Sequence, residues 1–161
     1  MNAGGLHGLA KIVSFPPAAA SACLVNGMRY CRSCATLNDF NDGAVGWTDW
    51  NVLLDERGGP NHVGNFCFAP VHADTRTGEL IYTNAYHYIG HFSKFVRPNA
   101  RRIVSSPSRS ALLSTAFVNP DGQVAVVVMN PTDKQATYYL WVAGNAAEVT
   151  SLPHSMQTLV F

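Results

Sequence analysis

Two tryptophans, an acid and two amide or hydroxyl side chains lie together in the segment Trp47-Thr48-Asp49-Trp50-Asn51. A tryptophan ring can pack against the C–H face of a sugar, while carboxylates and amides bond to the sugar hydroxyls. Two tryptophans in an apolar run would equally suit a hydrophobic core. Composition leaves both interpretations open, so the segment is a candidate carbohydrate site.

A glycine-rich segment, Gly58 to Phe66 (GGPNHVGNF), follows shortly afterwards. Its order fits neither the P-loop nor the GxGxxG pattern that cradles phosphates in other proteins. The residues instead favour a shaped active-site loop, and an ordinary connection between two elements is the alternative.

Catalytic carboxylates are the next requirement for chemistry on a sugar. Most of the ten acids occur in predicted turns, where Asp supports the backbone, and only Asp49 lies within an apolar run. The sequence therefore shows no pair of carboxylates of the kind glycosidases use for acid/base catalysis. The ten are Asp39, Asp42, Asp49, Asp55, Glu56, Asp74, Glu79, Asp121, Asp133 and Glu148.

Metal ligation is not expected. His87 and His91 are four residues apart, but the zinc motif HExxH needs Glu where Tyr88 stands. His62, Cys67 and His72 lack a recognisable ligand spacing, so packed or surface histidines are the better interpretation. Cys31-x-x-Cys34 could be half of a zinc site or a redox pair, but no second pair follows and no strand pattern precedes it. We expect no metal and no cofactor.

Composition bounds the partners of this 161-residue chain. A formal net charge of +1 does not indicate the basic surface that nucleic-acid binding needs. No stretch approaches the roughly 20 apolar residues that a membrane helix needs. With 47% hydrophobic and 13% charged residues, the chain has ample apolar surface to bury and is expected to be globular.

The chain divides into three predicted regions. Residues 1–36 have no sustained hydrophobic period and are predicted to be a poorly ordered or non-native leader, because prolines and serines interrupt any signal-peptide core. Residues 37–98 hold the candidate site. Val45 to Leu54 reads as a strand buried on both faces, Asn65 to Ala73 as a second extended segment, Leu80 to Thr83 as a short strand and Ala85 to Phe95 as a helix.

The last region, residues 99–161, reads as antiparallel β-structure. Short strands are predicted at intervals of about ten residues, separated by turns rich in Asn, Pro, Asp and Gly, and this spacing is typical of a β-sandwich. The segment 123–129 is almost continuously apolar, which predicts a central strand. The predicted strands are 101–106, 111–118, 123–129, 135–142, 146–151 and 156–161.

The run from Gly46 to Pro98, beginning GWTDWNVLLDERGGPNHVGNF, resembles the C-terminal stretch of glycoside hydrolase family 30, the glucosylceramidase family. The turn Asn119-Pro120-Asp121-Gly122 and the VAVVVMN strand after it are also similar. The resemblance covers roughly residues 38–161. It implies that residues 37–98 are the C-terminal end, the last strand and helix, of a (β/α)8 barrel, and that residues 99–161 are most of a β-sandwich.

The resemblance also implies a function and site residues. Members of this family hydrolyse β-glycosides, including glucosylceramide and related sphingolipids, with retention and with two glutamates. The Trp of the TDW motif and the Asn before the Phe of the GGPN loop line the family's glucose subsite, and they correspond to Trp50 and Asn65, with Asp49 in a supporting role. Both family glutamates follow earlier barrel strands that have no counterpart here, so the resemblance implies that the chain contains neither of them.

Two functions therefore compete. The chain is either the C-terminal part of a retaining β-glycosidase, inactive alone and acting on carbohydrate or glycolipid through the parent enzyme, or a non-catalytic β-sandwich module that binds carbohydrate or only supports the fold. Coplanar exposed aromatics would favour the binding module. The candidates are Tyr138, Tyr139 and Trp141, and strand alternation puts Tyr138 on the opposite face from the other two. A truncated or frame-disturbed gene would explain the missing barrel. The sequence leaves the compartment open.

Overall fold

A computed structural model of the chain describes residues 11–14, 23–25, 28–30, 32–60, 64, 66–108 and 111–161. Strands dominate these residues, together with two helices. The elements are β1 (Lys11–Ser14), β2 (Cys23–Val25), β3 (Met28–Tyr30), α1 (Arg32–Asn41), β4 (Leu53–Asp55), β5 (Val71–Ala73), β6 (Leu80–Tyr82), α2 (Asn84–Ser93), β7 (Arg101–Ile103), β8 (Leu113–Val118), β9 (Val124–Asn130), β10 (Ala136–Val142), β11 (Asn145–Ser151) and β12 (Ser155–Val160).

The largest sheet has five antiparallel strands in the order β1-β12-β9-β8-β7. Strand β9 is flanked by β8 and β12, with Val127 opposite Thr115 on one side and Thr158 on the other. Ala125 to Asn130 are all buried. These neighbours confirm the prediction that the apolar run is a central strand. A strand that is covered on both faces can be apolar at consecutive positions.

Two layers cover the faces of this sheet. On one face, α1 and α2 pack through Leu37 and Phe92 against Val127 and Met129. On the other face, the β10–β11 hairpin packs through Val149 and its neighbours against the alternate residues of β8, β9 and β12. The predicted fold class, a mainly β chain with a C-terminal sandwich, is confirmed, and each predicted strand of residues 101–161 has a counterpart.

Asn119 connects helix α2 to the sandwich. Its buried side-chain amide donates to the carbonyl oxygen of Phe95 at 2.9 Å and accepts the amide hydrogen of Arg97 at 2.9 Å. Its backbone closes the predicted turn, because the amide donates to the carbonyl of Gln123 at 2.8 Å. The turn residue therefore also fixes the chain that leaves α2.

A small sheet in the order β4-β5-β6 was not foreseen. Strands β4 and β5 are parallel, with Leu53 opposite Val71, and β6 adds antiparallel to β5. The prediction of a doubly buried strand over Val45 to Leu54 was wrong in its bounds, since only Leu53 and Leu54 of that run are in β4. Among the described residues β4 has a neighbour on one side only, so the run lacks the second strand that would bury it, and Val45 and Val52 are exposed.

The described parts of segment 1–36 also contain strands. Strand β1 pairs antiparallel with β12, Ile12 lying opposite Leu159, and β2 pairs with β3. Strand β3 ends at Tyr30, so the expectation that no strand precedes Cys31-x-x-Cys34 was wrong. Three residues are too few to show an alternating pattern in a sequence. Cys31 itself lies outside the described residues.

Candidate functional site

Two described segments of the candidate site lead into one edge of the small sheet. Because β4 and β5 are parallel, the residues that precede each strand emerge at the same edge. Trp50 precedes β4 by three residues, and the end of the glycine-rich segment precedes β5. The amide of Val71 donates to the carbonyl of Val52 at 3.0 Å, which extends the pairing towards Trp50. Asn65 lies outside the described residues, between the described Gly64 and Phe66.

Trp50 and Trp47 have different environments. The Trp50 side chain is 67% exposed, whereas Trp47 is half-buried in an apolar groove of about 370 Å³ between α1 and α2. Asp49 is half-buried, and its carboxylate accepts the backbone amide hydrogen of Trp50 at 2.8 Å. The sequence left core and surface positions open for both tryptophans, and the structure places Trp47 in a groove and Trp50 on the surface. The strand predicted over Val45 to Leu54 included Trp50, whereas the structure places Trp50 three residues before β4.

Asp55 organises the start of the glycine-rich segment. Its carboxylate accepts the amide hydrogens of Arg57 at 2.9 Å and Gly59 at 2.7 Å. Its own amide donates to the carbonyl of Gly59 at 2.7 Å. These three bonds close a tight turn directly after β4, and such local bonding is the usual role of Asp in turns.

Gly58 allows the two ends of the segment to touch. Its φ is +72°, a left-handed conformation that side chains disfavour. Its carbonyl accepts the amide hydrogen of Cys67 at 3.3 Å, and a Cβ at this position would lie 2.6 Å from the Cys67 carbonyl oxygen. Glycine is therefore required here by both backbone conformation and space.

His72 is a site residue that sequence reasoning missed. It is buried, its Nε2 accepts the amide hydrogen of Ala69 at 3.1 Å, and its Nδ1 lies 2.8 Å from the Asp55 carbonyl oxygen. Since Nε2 is an acceptor, Nδ1 carries the hydrogen and donates it to Asp55. No spacing signal marks this role, because the partners are seventeen residues apart and their approach depends on the parallel pairing of β4 and β5.

Aromatic rings line the segment that enters β5. Phe66 stacks on His72 with ring centres 5.5 Å apart and planes 16° apart, and Phe68 meets Phe66 edge-on at 4.9 Å. Phe66 and Phe68 are both exposed, as Trp50 is. These contacts pack the two rings against the segment itself, so they support its conformation.

Several described carboxylates accept hydrogen bonds from groups at turns. Glu56 and Asp74 lie at the turn that follows β5. A hydrogen bond from the Thr75 backbone amide lowers the pKa of Glu56, and hydrogen bonds from the Arg76 side chain lower the pKa of Asp74. A catalytic general acid needs a raised pKa so that it holds a proton at neutral pH. The lowered pKa of Glu56 and of Asp74 therefore makes both carboxyl groups unsuited to act as the general acid.

The histidines that could have suggested a metal site do not form one in the described residues. Across the part of the chain that the structure describes, no group of three His, Cys, Asp or Glu side chains is arranged to hold a metal ion. His91 is buried, and its Nδ1 lies 2.8 Å from the hydroxyl of Thr158, while His62 lies outside that part. Neither described helix is long and apolar enough to cross a membrane.

Comparison with protein-family models assigns both halves of this architecture. The glycosyl hydrolase family 30 TIM-barrel domain matches residues 24–96, and the glycosyl hydrolase family 30 beta sandwich domain matches residues 99–159. The barrel match begins inside the segment 1–36 that sequence analysis set apart. The two models follow one another in the order that the sequence resemblance implied.

Curated relatives are glucosylceramidases. The chain is 38% identical over 105 residues to lysosomal acid glucosylceramidase of Mus musculus, which covers 65% of this chain and 20% of that protein. It is 33% identical over 132 residues to putative glucosylceramidase 1 of Caenorhabditis elegans, covering 78% of this chain and 25% of the relative. The chain thus spans a fifth to a quarter of the length of these relatives.

Solved structures agree with this assignment. SrfJ from Salmonella typhimurium superimposes with a TM-score of 0.78 at 35% identity, over 80% of this chain and 29% of that one. An endo-beta1,6-glucanase superimposes with a TM-score of 0.71 at 26% identity, over 77% of this chain and 28% of the other. The fold of most of this chain therefore recurs within these two larger chains.

Proposed function

Because the chain belongs to glycosyl hydrolase family 30, we propose that it forms the C-terminal portion of a retaining β-glycosidase of the glucosylceramidase type. In this proposal it contributes part of the glucose-binding subsite and the β-sandwich, and the parent enzyme hydrolyses β-glucosyl linkages in glucosylceramide-like glycolipids. The observation that supports the proposal is the parallel pairing of β4 with β5, which brings the chain after Trp50 beside the chain that enters β5.

Trp50 is proposed to stack on the glucose ring. Its side chain is two-thirds exposed, and an exposed ring can be covered by a sugar without displacing other protein groups. Asp49 is proposed as a positioning residue, since its carboxylate holds the Trp50 amide at 2.8 Å and thereby restrains the backbone that carries the ring.

Asn65 is proposed to bond the glucose hydroxyls. An amide can donate and accept at once, which suits a hydroxyl that does the same. Support comes from the neighbouring backbone, which Gly58, Cys67 and His72 fix on both sides. Loop residues held by such secondary contacts lose little further entropy when a ligand binds.

The two catalytic carboxylates of the retaining reaction are proposed to come from barrel residues outside this chain. One carboxyl protonates the glycosidic oxygen while the other attacks the anomeric carbon, and water then hydrolyses the glycosyl-enzyme. The domain boundaries belong to the same proposal: a leader over 1–36, the end of the barrel over 37–98 and the sandwich over 99–161.

A chimera tests this function. Residues 24–161 replace the matching C-terminal stretch of mouse lysosomal acid glucosylceramidase, and hydrolysis of a fluorogenic β-glucoside is measured. We expect β-glucosidase activity, with kcat/KM reduced by about 100-fold in Trp50→Ala and Asn65→Ala, because each variant removes a contact at the reacting sugar. Phe68→Ala is the matched control, an exposed aromatic near the same edge, and should change kcat/KM by less than about threefold.

Two results would overturn the proposal. A folded chimera, judged by circular dichroism and a cooperative thermal transition, that shows no hydrolysis would exclude the assigned activity. An active chimera in which Trp50→Ala and Phe68→Ala behave alike would exclude the assigned subsite.

A further inference from the structure

The outer face of the β10–β11 hairpin carries two neighbouring exposed aromatic rings. Along β10 exposure alternates strictly, so Tyr138 and Leu140 pack inward against the sandwich core while Tyr139 and Trp141 point outward. Tyr139 is 61% exposed and Trp141 is 70% exposed. Side chains two residues apart on a strand share a face about 7 Å apart, so both rings lie side by side on the outer face of the hairpin.

The residues beside these rings are polar and suited to sugar hydroxyls. Glu148 lies opposite Tyr139 in the register, and the phenol hydroxyl donates to its Oε2 at 2.6 Å. One row further, Thr137 and Thr150 face each other with hydroxyl oxygens 3.3 Å apart. Opposite Trp141 stands Ala146, which is too small to cover an indole ring.

The Tyr139–Glu148 bond prepares this face for a ligand. It fixes the phenol ring in one orientation, so less side-chain entropy remains to be lost on binding. It uses one carboxylate oxygen and leaves the other to accept a hydroxyl from outside the protein. A preorganised ring beside an acceptor is the combination that recognises a sugar ring together with its hydroxyl groups.

Charge distinguishes between the occupants that an aromatic surface could have. The hairpin, residues 136–151, contains no lysine or arginine, and its one charged side chain is Glu148. A surface that binds anionic lipid needs basic residues beside its aromatic ones, and a negative carboxylate opposes such binding. A neutral, hydroxyl-rich ligand matches both the rings and the charge.

We propose that this face, defined by Tyr139, Trp141, Glu148 and Thr150 and here called the hairpin platform, binds a neutral glycan. Tyr139 and Trp141 stack on sugar rings, and Glu148 accepts sugar hydroxyls. The platform lies on the sandwich, is separate from the Trp50 edge and does not depend on the proposed glycosidase function. It would hold a glycan chain, or the glycan of a glycolipid, on the enzyme.

The test measures binding to the full chain, without any assay of hydrolysis. Isothermal titration with cellohexaose, laminarihexaose and mannohexaose should detect binding of at least one of them. Trp141→Ala should weaken that binding by about tenfold or more, as is usual for a central aromatic anchor, and Trp141→Phe should retain most of it. Tyr82→Ala, which removes a similarly exposed aromatic from β6, should leave it unchanged.

The remaining outcomes overturn the proposal. These are binding of none of the three glycans by the folded chain, equal weakening by Trp141→Ala and Tyr82→Ala, and glycan binding that is lost in Trp50→Ala but kept in Trp141→Ala. Sedimentation with phosphatidylcholine and phosphatidylserine vesicles tests a membrane surface as the alternative ligand of the platform. Association with vesicles that depends on Trp141, without glycan binding, would assign the platform to a membrane surface.

Discussion

His72 donates its Nδ1 hydrogen to the carbonyl oxygen of Asp55, 2.8 Å away and seventeen residues earlier in the chain. The other ring nitrogen accepts the amide hydrogen of Ala69. The buried imidazole thus links the turn at the start of the glycine-rich segment to the residues that follow the end of that segment. The backbone on both sides of the glycine-rich segment depends on this connection for its position.

Removal of this imidazole should therefore destabilise the site. His72→Ala leaves the Asp55 carbonyl and the Ala69 amide without their partner, and each unsatisfied buried group costs about 1–3 kcal/mol. We expect a loss of about 2–6 kcal/mol in the free energy of unfolding, measured by urea denaturation. His154→Ala is the control, since it removes a surface pair with Asp133 worth less than about 1 kcal/mol. Equal losses in the two variants would contradict the role assigned to His72.

Gly58 offers a test of the close contact between the ends of the segment. Gly58→Ala combines an unfavourable positive φ with a collision against the Cys67 backbone, whereas Gly78→Ala has a similar φ of +77° and open space around the new Cβ. The positive φ alone costs about 1–2 kcal/mol, and overpacking adds about 1–3 kcal/mol. Urea denaturation should therefore give Gly58→Ala a free energy of unfolding about 1–3 kcal/mol lower than that of Gly78→Ala. Equal stabilities would show that the ends do not touch.

His91 should make the stability depend on pH. Burial, with a smaller contribution from the charge of nearby His87, lowers the pKa of His91 from 6.5 to about 4. The unfolded chain therefore takes up a proton at a higher pH than the folded one, and stability present at pH 7 is lost as pH falls below 6.5. The loss between pH 7 and pH 5 should be about 2 kcal/mol.

Urea denaturation of the parent chain and of His91→Gln at both pH values measures this effect. The variant should lose most of the pH dependence, because glutamine does not titrate in this range. His154→Gln, which alters an exposed histidine, should keep it. A parent chain equally stable at pH 5 and pH 7 would contradict the burial assigned to His91.

The sequence predicted local structure well where neighbouring residues determine it. The strands of the sandwich are separated by turn residues such as Asn119 and Gly122, and the alternation along β10 correctly separated Tyr138 from Tyr139 and Trp141. The spacing of Tyr88, Ile89 and Phe92 predicted α2 with small errors at its ends, since helix ends are set by caps and packing.

The sequence failed where distant segments determine the structure. The apolar residues of Val45 to Leu54 indicate a buried strand, but burial depends on a second neighbouring strand that β4 does not have among the described residues. The parallel pairing of β4 with β5 crosses a fifteen-residue connection without a pattern of its own. The role of His72 follows from that pairing, and no local signal could have indicated it.

The most direct test of the central claim is hydrolysis of a fluorogenic β-glucoside by the purified chain itself. The proposal predicts no release of fluorophore above the uncatalysed rate at any pH from 4 to 8. Asp55, Glu56 and Asp74 are engaged in turns and an ion pair, and the catalytic pair is proposed to come from barrel residues outside the chain. Turnover that disappears in Trp50→Ala would contradict it. That result would mean that this chain holds its own catalytic carboxylates, with Asp49 the first to replace by Asn.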